Sequence, residues 1–265
     1  MTYHTRAFGL VAALALAPMA ASAATVDIQF QAFGTGSPAG ITAALAARDA
    51  FMGGSRITRS EDFEGFQACR TATAATCASA DGSTPVVSTQ VGDFYRLGGD
   101  TGSGAAQVSP EDRIVVRNDD PGNAHGRYDV EGGDNWLDSN DHAGIRWEIP
   151  GQSGLSDILR IAFFLTDVDD VGSFGFRFEV SEDEIDTVNM MGKPQNNRDD
   201  AELQLVTLLF DTPVSLLSIE MTAGTNDGFG MDGVQVAAVP LPAAGWLMLA
   251  GFGGLAALRR RKQAA

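Results

Sequence analysis

Thiols and imidazoles are scarce in this chain, with two cysteines and three histidines among 265 residues. Cys69 and Cys77 have no histidine nearby and no second cysteine pair, which argues against a zinc centre or a catalytic thiol. Beyond residue 23 the only imidazole bases are His125 and His142, read as solvated loop residues, and no Gly-x-Ser-x-Gly elbow occurs. A Ser/His/Asp hydrolase therefore has little support. Positive charge is also short: 18 Lys and Arg stand against 34 Asp and Glu. No internal repeat is evident.

The ends of the chain read as addresses. His4 and Arg6 precede an apolar run from Ala7 to Ala17, then Pro18 and the small residues Ala21-Ser22-Ala23-Ala24. This is the layout of a secretory signal peptide over residues 1–23, with cleavage expected after Ala23. At the other end, Ala243 to Leu258 carries no charge and is followed by Arg259, Arg260, Arg261 and Lys262. A helix from Pro240 to Leu258 reaches about 28 Å, close to the roughly 30 Å of a bilayer core. Trp246 then sits at the outer interface and the basic block stays cytoplasmic, so the intervening segment is exported through the inner membrane. Pro240 and Pro242 do not fit a regular helix, which keeps Val239 to Ala243 extended outside the membrane.

Val239-Pro240-Leu241-Pro242-Ala243, the apolar helix and the terminal Arg cluster together resemble the VPLPA-CTERM variant of the PEP-CTERM sorting signals of Gram-negative bacteria. The resemblance covers residues 239–265 and implies processing by an exosortase, with transfer to the cell surface or extracellular matrix. A plain single-pass anchor is the alternative.

Residues 24–238 form the exported segment. The two terminal segments hold five of the Lys and Arg and no Asp or Glu, so 13 positive against 34 negative groups leave this segment at −21. Such a surface repels nucleic acid and attracts divalent cations, or serves solubility alone. In an oxidising compartment Cys69 and Cys77 are expected to form a disulfide. A loop that short contributes only about 2.5 kcal/mol, so it staples the segment locally.

"TVDIQFQAF" alternates Val26, Ile28 and Phe30 with Asp27, Gln29 and Gln31, and "SFGFRFEV" repeats the pattern with Phe174, Phe176, Phe178 and Val180. "DRIVVR", "GIRWEI", "LRIAFFLTD", "LQLVTLLF", "VSLLSIEM" and "GMDGVQVA" are further strands, separated by Gly, Asn, Asp and Pro. The fold class is mainly β, an antiparallel sandwich of jelly-roll type. One helix is predicted, capped by Ser37, opened by Pro38, stopped by Gly53-Gly54 and packed against one end of the sandwich. "ARDAFMGGSRITRSEDFEGF", "GGDNWLDSNDHAGIRWEI", "FFLTDVDDVGSF" and "DGFGMDGVQV" loosely resemble the β-sandwich domains attached to such sorting tails.

Calcium is the expected cofactor, because it takes hard oxygen ligands clustered in loops. Asp167, Asp169 and Asp170 cluster in "TDVDDVG", although Val171 and Phe178 stand where an EF-hand loop needs ligands. The similarity to jelly-roll sugar-binding modules implies a second arrangement, joining Asp62 or Glu64 near the first strand to Asp232 in the last. These acids equally fit turn-capping or solvated positions. Trp136 with Asp138, Asn140 and Asp141 combines an aromatic face with hydrogen-bonding groups, as a sugar contact requires, while Trp136 also suits a core position and Asp138 and Asn140 suit Asx turns. The expected function is a non-enzymatic surface or matrix protein with a calcium-stiffened sandwich that binds polysaccharide; the alternative is a secreted carbohydrate-active enzyme.

Overall fold

The computed structural model describes residues 25–66, 68, 87–97, 114–118, 126–139, 144–150, 158–168, 174–180, 183–190, 202–214, 216–222 and 228–238. The predicted signal peptide, Cys69, Cys77, both loop histidines, Asn140, Asp141, Asp169, Asp170 and the segment 239–265 lie outside the described residues. Among the described residues no helix is long and apolar enough to cross a membrane.

The fold is mainly β, with two antiparallel sheets and one helix. One sheet runs in the order β1 (Val26–Thr35), β11 (Glu202–Val214), β8 (Ile158–Thr166), β13 (Gly230–Ala238), β6 (Asn135–Asp138), β5 (Val115–Asn118), and β2 (Arg56–Glu61) also pairs with β13. The other runs β10 (Asp183–Met190), β9 (Phe174–Val180), β12 (Leu216–Thr222), β7 (Gly144–Pro150), β4 (Gly92–Arg96), β3 (Val87–Thr89). All eight strands expected from sequence are present. β2, read only as a first strand through the resemblance, and β3, β4, β6 and β10 complete the sheets.

Alternation explains how the two sheets face each other. Phe174, Phe176 and Phe178 of β9 are buried while Arg177 and Glu179 on the same strand are partly exposed. A chain of rings fills the space between the layers: Phe94 stacks on Trp147 at 5.3 Å, Trp147 meets Phe163 edge-on at 5.8 Å, and Phe163 lies 6.4 Å from Phe176. Full burial of each such side chain contributes about 1.5–3 kcal/mol.

The helix α1 spans Pro38–Met52, as expected. Ser37 Oγ accepts from Gly40 N at 3.2 Å, and Gly54 turns the chain with φ of 76°. Its position differs from expectation: α1 covers the outer face of the first sheet, against β1, β8 and β11, rather than one end of the sandwich. Ala44, Met52, Ile41, Leu45 and Phe51 pack there on Ala162, Phe164, Leu203, Leu205 and Ala237, forming a second core. The central strands are consequently apolar on both sides. That is why "IAFFL" in β8 is a continuous apolar run and not an alternating one.

Candidate functional site

Three carboxylates hold the loop that leads into β6. Asp232 Oδ2 accepts from Val130 N at 2.8 Å and Glu131 N at 2.9 Å. Asp129 Oδ2 accepts from Gly132 N at 3.2 Å and Gly133 N at 2.9 Å. Glu64 Oε1 accepts from Asp134 N at 2.8 Å and Asn135 N at 2.6 Å. Six consecutive amides, 130 to 135, are thus satisfied by carboxylates from three separate parts of the chain, five of them ahead of the first residue of β6. Gly132 takes φ of 102°, and a Cβ on Gly133 would lie 2.0 Å from Glu64 Oε1, so both glycines are required by the close wrap.

Asp232 reaches this loop because β13 is irregular. Gly233 has φ of 58°, and the pairing of β13 with β8 shifts register between Asp232 and Gln235. A Cβ on Gly233 would stand 2.6 Å from the Phe164 ring. Asp232 is 1% exposed. Burial pushes its carboxyl well above the usual range, the Asp129 charge adds to the rise, and the amides of Val130, Glu131 and Gly233 oppose it. Asp129 Oδ1 and Asp232 Oδ1 are both buried and have no hydrogen-bond partner. Beside them, Arg48 directs Nη1 to Glu131 Oε1 at 2.7 Å and to Gly233 O at 3.4 Å, and Nη2 to Asp49 Oδ1 at 3.3 Å.

The acids singled out in the sequence have other occupations. Asp62 Oδ1 accepts from Glu64 N at 3.1 Å, and Glu64 is committed to the β6 loop, so each orders backbone. Their neighbour Glu61 accepts from Phe63 N at 2.8 Å, with burial raising its pKa. Asp167 is 2% exposed with φ of 64°, its amide donates to Glu202 O, and its carboxylate faces Arg127 at 3.5 Å. Among the described residues no three His, Cys, Asp or Glu side chains come together as a metal-binding group.

The expected sugar contact at Trp136 and Asp138 is corrected by burial. Both are 0% exposed, so the indole presents no face to a ligand. Asp138 is ion-paired with Arg127 at 2.7 Å and Arg117 at 3.0 Å. Trp136 is a core residue because β6 sits inside the sheet between β13 and β5, and all four of its residues are buried.

An open cleft lies elsewhere, on the outer face of the first sheet. Its floor is two cross-strand rows, Asp27–Leu209–Arg160 and Gln29–Thr207, and its wall is Phe51 at the end of α1. The volume is about 290 Å³. Arg160 holds the wall, lying 5.4 Å from the Phe51 ring and donating to Phe51 O at 2.5 Å, while Gln29 Nε2 donates to Asp27 Oδ2 at 3.1 Å. The outward, polar half of the alternating β1 pattern supplies Asp27 and Gln29. Sequence alone did not mark them as a site because Arg160 and Phe51 join them only through the sheet and helix packing.

No family model and no curated protein matches the chain. Among solved structures it is similar to the K2 cleaved adhesin domain of Lys-gingipain, at 8% identity and a TM-score of 0.38, over 68% of this chain and 98% of that one. It is also similar to the CBM22-1 xylan-binding domain of Paenibacillus barcinonensis Xyn10C, at 12% identity and a TM-score of 0.35, over 70% of this chain and 96% of that one. A family 35 carbohydrate-binding module from an environmental isolate is similar at 19% identity and a TM-score of 0.30, over 48% of this chain and 89% of that one.

Proposed function

We propose that this chain is an exported, non-enzymatic cell-surface or matrix protein whose jelly-roll-type sandwich binds polysaccharide, stiffened by calcium. Sorting by an exosortase through Val239 to Ala243 and transient membrane anchoring by the helix that follows belong to the same reading, on the strength of the terminal motifs. The observation that carries the binding reading is the cleft of Asp27, Gln29, Phe51, Arg160 and Thr207. It sets an aromatic side chain beside carboxylate, amide, guanidinium and hydroxyl groups, the mixture that holds a hydroxyl-rich ring by apolar contact and hydrogen bonds. Its size is near the lower end of ligand sites, roughly 300 Å³, which suits a short segment of a longer chain lying across the strands.

A glycan array probed with the purified protein tests this. Binding to at least one polysaccharide class is expected, reduced at least tenfold by the double substitution Asp27→Ala and Gln29→Ala. These side chains are exposed, so the fold survives their removal. An array with no bound glycan, or binding that the double variant retains in full, removes the cleft from the reading.

A further inference from the structure

We propose that the end of the first sheet around Arg56 and Ile57 is a seat for an anionic phospholipid surface, occupied while the tail still anchors the chain. This rests on the anchoring reading of residues 239–265. β13 ends at Ala238, which pairs with Arg56 of β2 on one side and Ile158 of β8 on the other, and the chain continues directly into Val239 to Ala243. That short proline-containing stretch spans at most about 16 Å in the polyproline form, so a helix inserted from Ala243 onward keeps this end of the sheet that close to the lipid headgroups. β1 starts at the same end, because Val26 pairs with Phe210 and only β11 and β8 lie between β1 and β13. Both ends of the exported segment therefore leave the fold on one side.

The side chains at this end fit that surface. Arg48, Arg117, Arg127, Arg146 and Arg177 are ion-paired with carboxylates, whereas among the described residues no carboxylate pairs with Arg56, Arg59 or Arg160. Those three lie across from the last residues of β13: Arg59 opposite Val236, Arg160 opposite Ala237 and Arg56 opposite Ala238. Arg59 turns inward and donates to Pro150 O at 2.8 Å, which leaves Arg56 exposed and Arg160 half-buried. Ile57, also opposite Ala237, is 46% exposed and is the one large hydrophobic side chain left open among the described residues. Of the described acids near this end of the sheet, Asp49 is paired with Arg48. Asp27 on β1 and Asp211 on β11 are four and three strands from β2, roughly 19 and 14 Å at the usual strand spacing and beyond the roughly 8–10 Å screening length of physiological salt. Arginine at the phosphate level with an aliphatic side chain beside it is what an anionic bilayer surface accepts, each arginine favouring the bound state roughly fivefold. The charge of −21 on the exported segment disfavours lipid contact elsewhere, which orients the fold. Arg56 and Ile57 stand outside the polysaccharide cleft.

Hydrogen exchange of the full chain in nanodiscs of phosphatidylglycerol and, separately, of phosphatidylcholine tests the seat. Amides of residues 53–58 are expected to exchange about fivefold more slowly in the anionic discs, and high salt should remove the difference. Arg56→Glu should abolish it and Ile57→Ser should reduce it; both side chains are exposed, so the fold survives either change. Arg177→Gln, on the second sheet, should leave the difference intact. Equal exchange in the two lipids, with the chain inserted in both, overturns the seat and leaves the anchor standing. A lipid difference that Arg56→Glu retains in full places the contact on another face and likewise overturns the seat. A chain that inserts in neither disc overturns the anchoring reading and the seat with it.

Discussion

Asp232 on the last strand accepts from Val130 N at 2.8 Å, across 102 positions of the chain. That bond ties β13 to the loop that delivers β6, and it leaves one carboxylate oxygen buried beside Asp129. Burial favours the protonated form of this acid, and the backbone amides that hold it favour the charged form.

The first prediction concerns pH. The folded-state pKa of Asp232 is raised, so the folded chain binds this proton more tightly than the unfolded chain does. Its contribution is therefore present at low pH and is lost as pH rises from the ordinary carboxylate value of about 3.9 toward the folded pKa. In EDTA, the stability of the unmodified chain relative to Asp232→Asn should fall between pH 4 and pH 8. The Asn carbonyl can still accept from Val130 and Glu131, and the side chain no longer titrates. Urea unfolding across that range decides the point, and parallel pH curves for the two proteins would count against it.

Asp138 sits at 0% exposure between Arg127 and Arg117. Asp138→Ala removes one of the carboxylates paired with the buried Arg127 guanidinium and should cost about 3–5 kcal/mol. Chemical denaturation with an unchanged slope measures it. A loss under about 1 kcal/mol would mean that the remaining partners of Arg127 suffice.

Gly36 supports the packing of Tyr128. A Cβ there would lie 2.2 Å from the tyrosine ring, and burial together with the charges of Asp167 and Glu202 raises the phenol's pKa. Gly36→Ala should destabilise by about 1–3 kcal/mol through overpacking. The cost should shrink when Tyr128→Ala is made in the same chain, and a double-mutant cycle reads the coupling. Additive effects would show that the clash is relieved elsewhere.

Processing at Val239 to Ala243 should leave the mature surface form without its terminal Arg cluster. Mass spectrometry of protein released from the cell surface checks this. Intact peptides spanning Leu255 to Ala265 on most of that protein would leave the plain membrane anchor standing.

Local periodicity made the sandwich legible. Val26, Ile28 and Phe30 face the core because a strand alternates its side chains, and Ser37, Pro38 and Gly53 bracket α1 because caps act within a few residues of the backbone they satisfy. Those signals determine the class of fold, the helix and most of the strands from the residues alone. They do not determine what joins what. "NWLD" carries no alternation, so β6 and the burial of Trp136 follow only from its place between β13 and β5. The acids are the sharper case. An Asp in sequence looks the same whether it faces solvent, caps a turn or is buried against a backbone amide 102 positions away. Only the folded chain brings Asp232, Asp129 and Glu64 to six successive amides, because hydrogen bonding and desolvation depend on distance in space, which sequence separation does not encode.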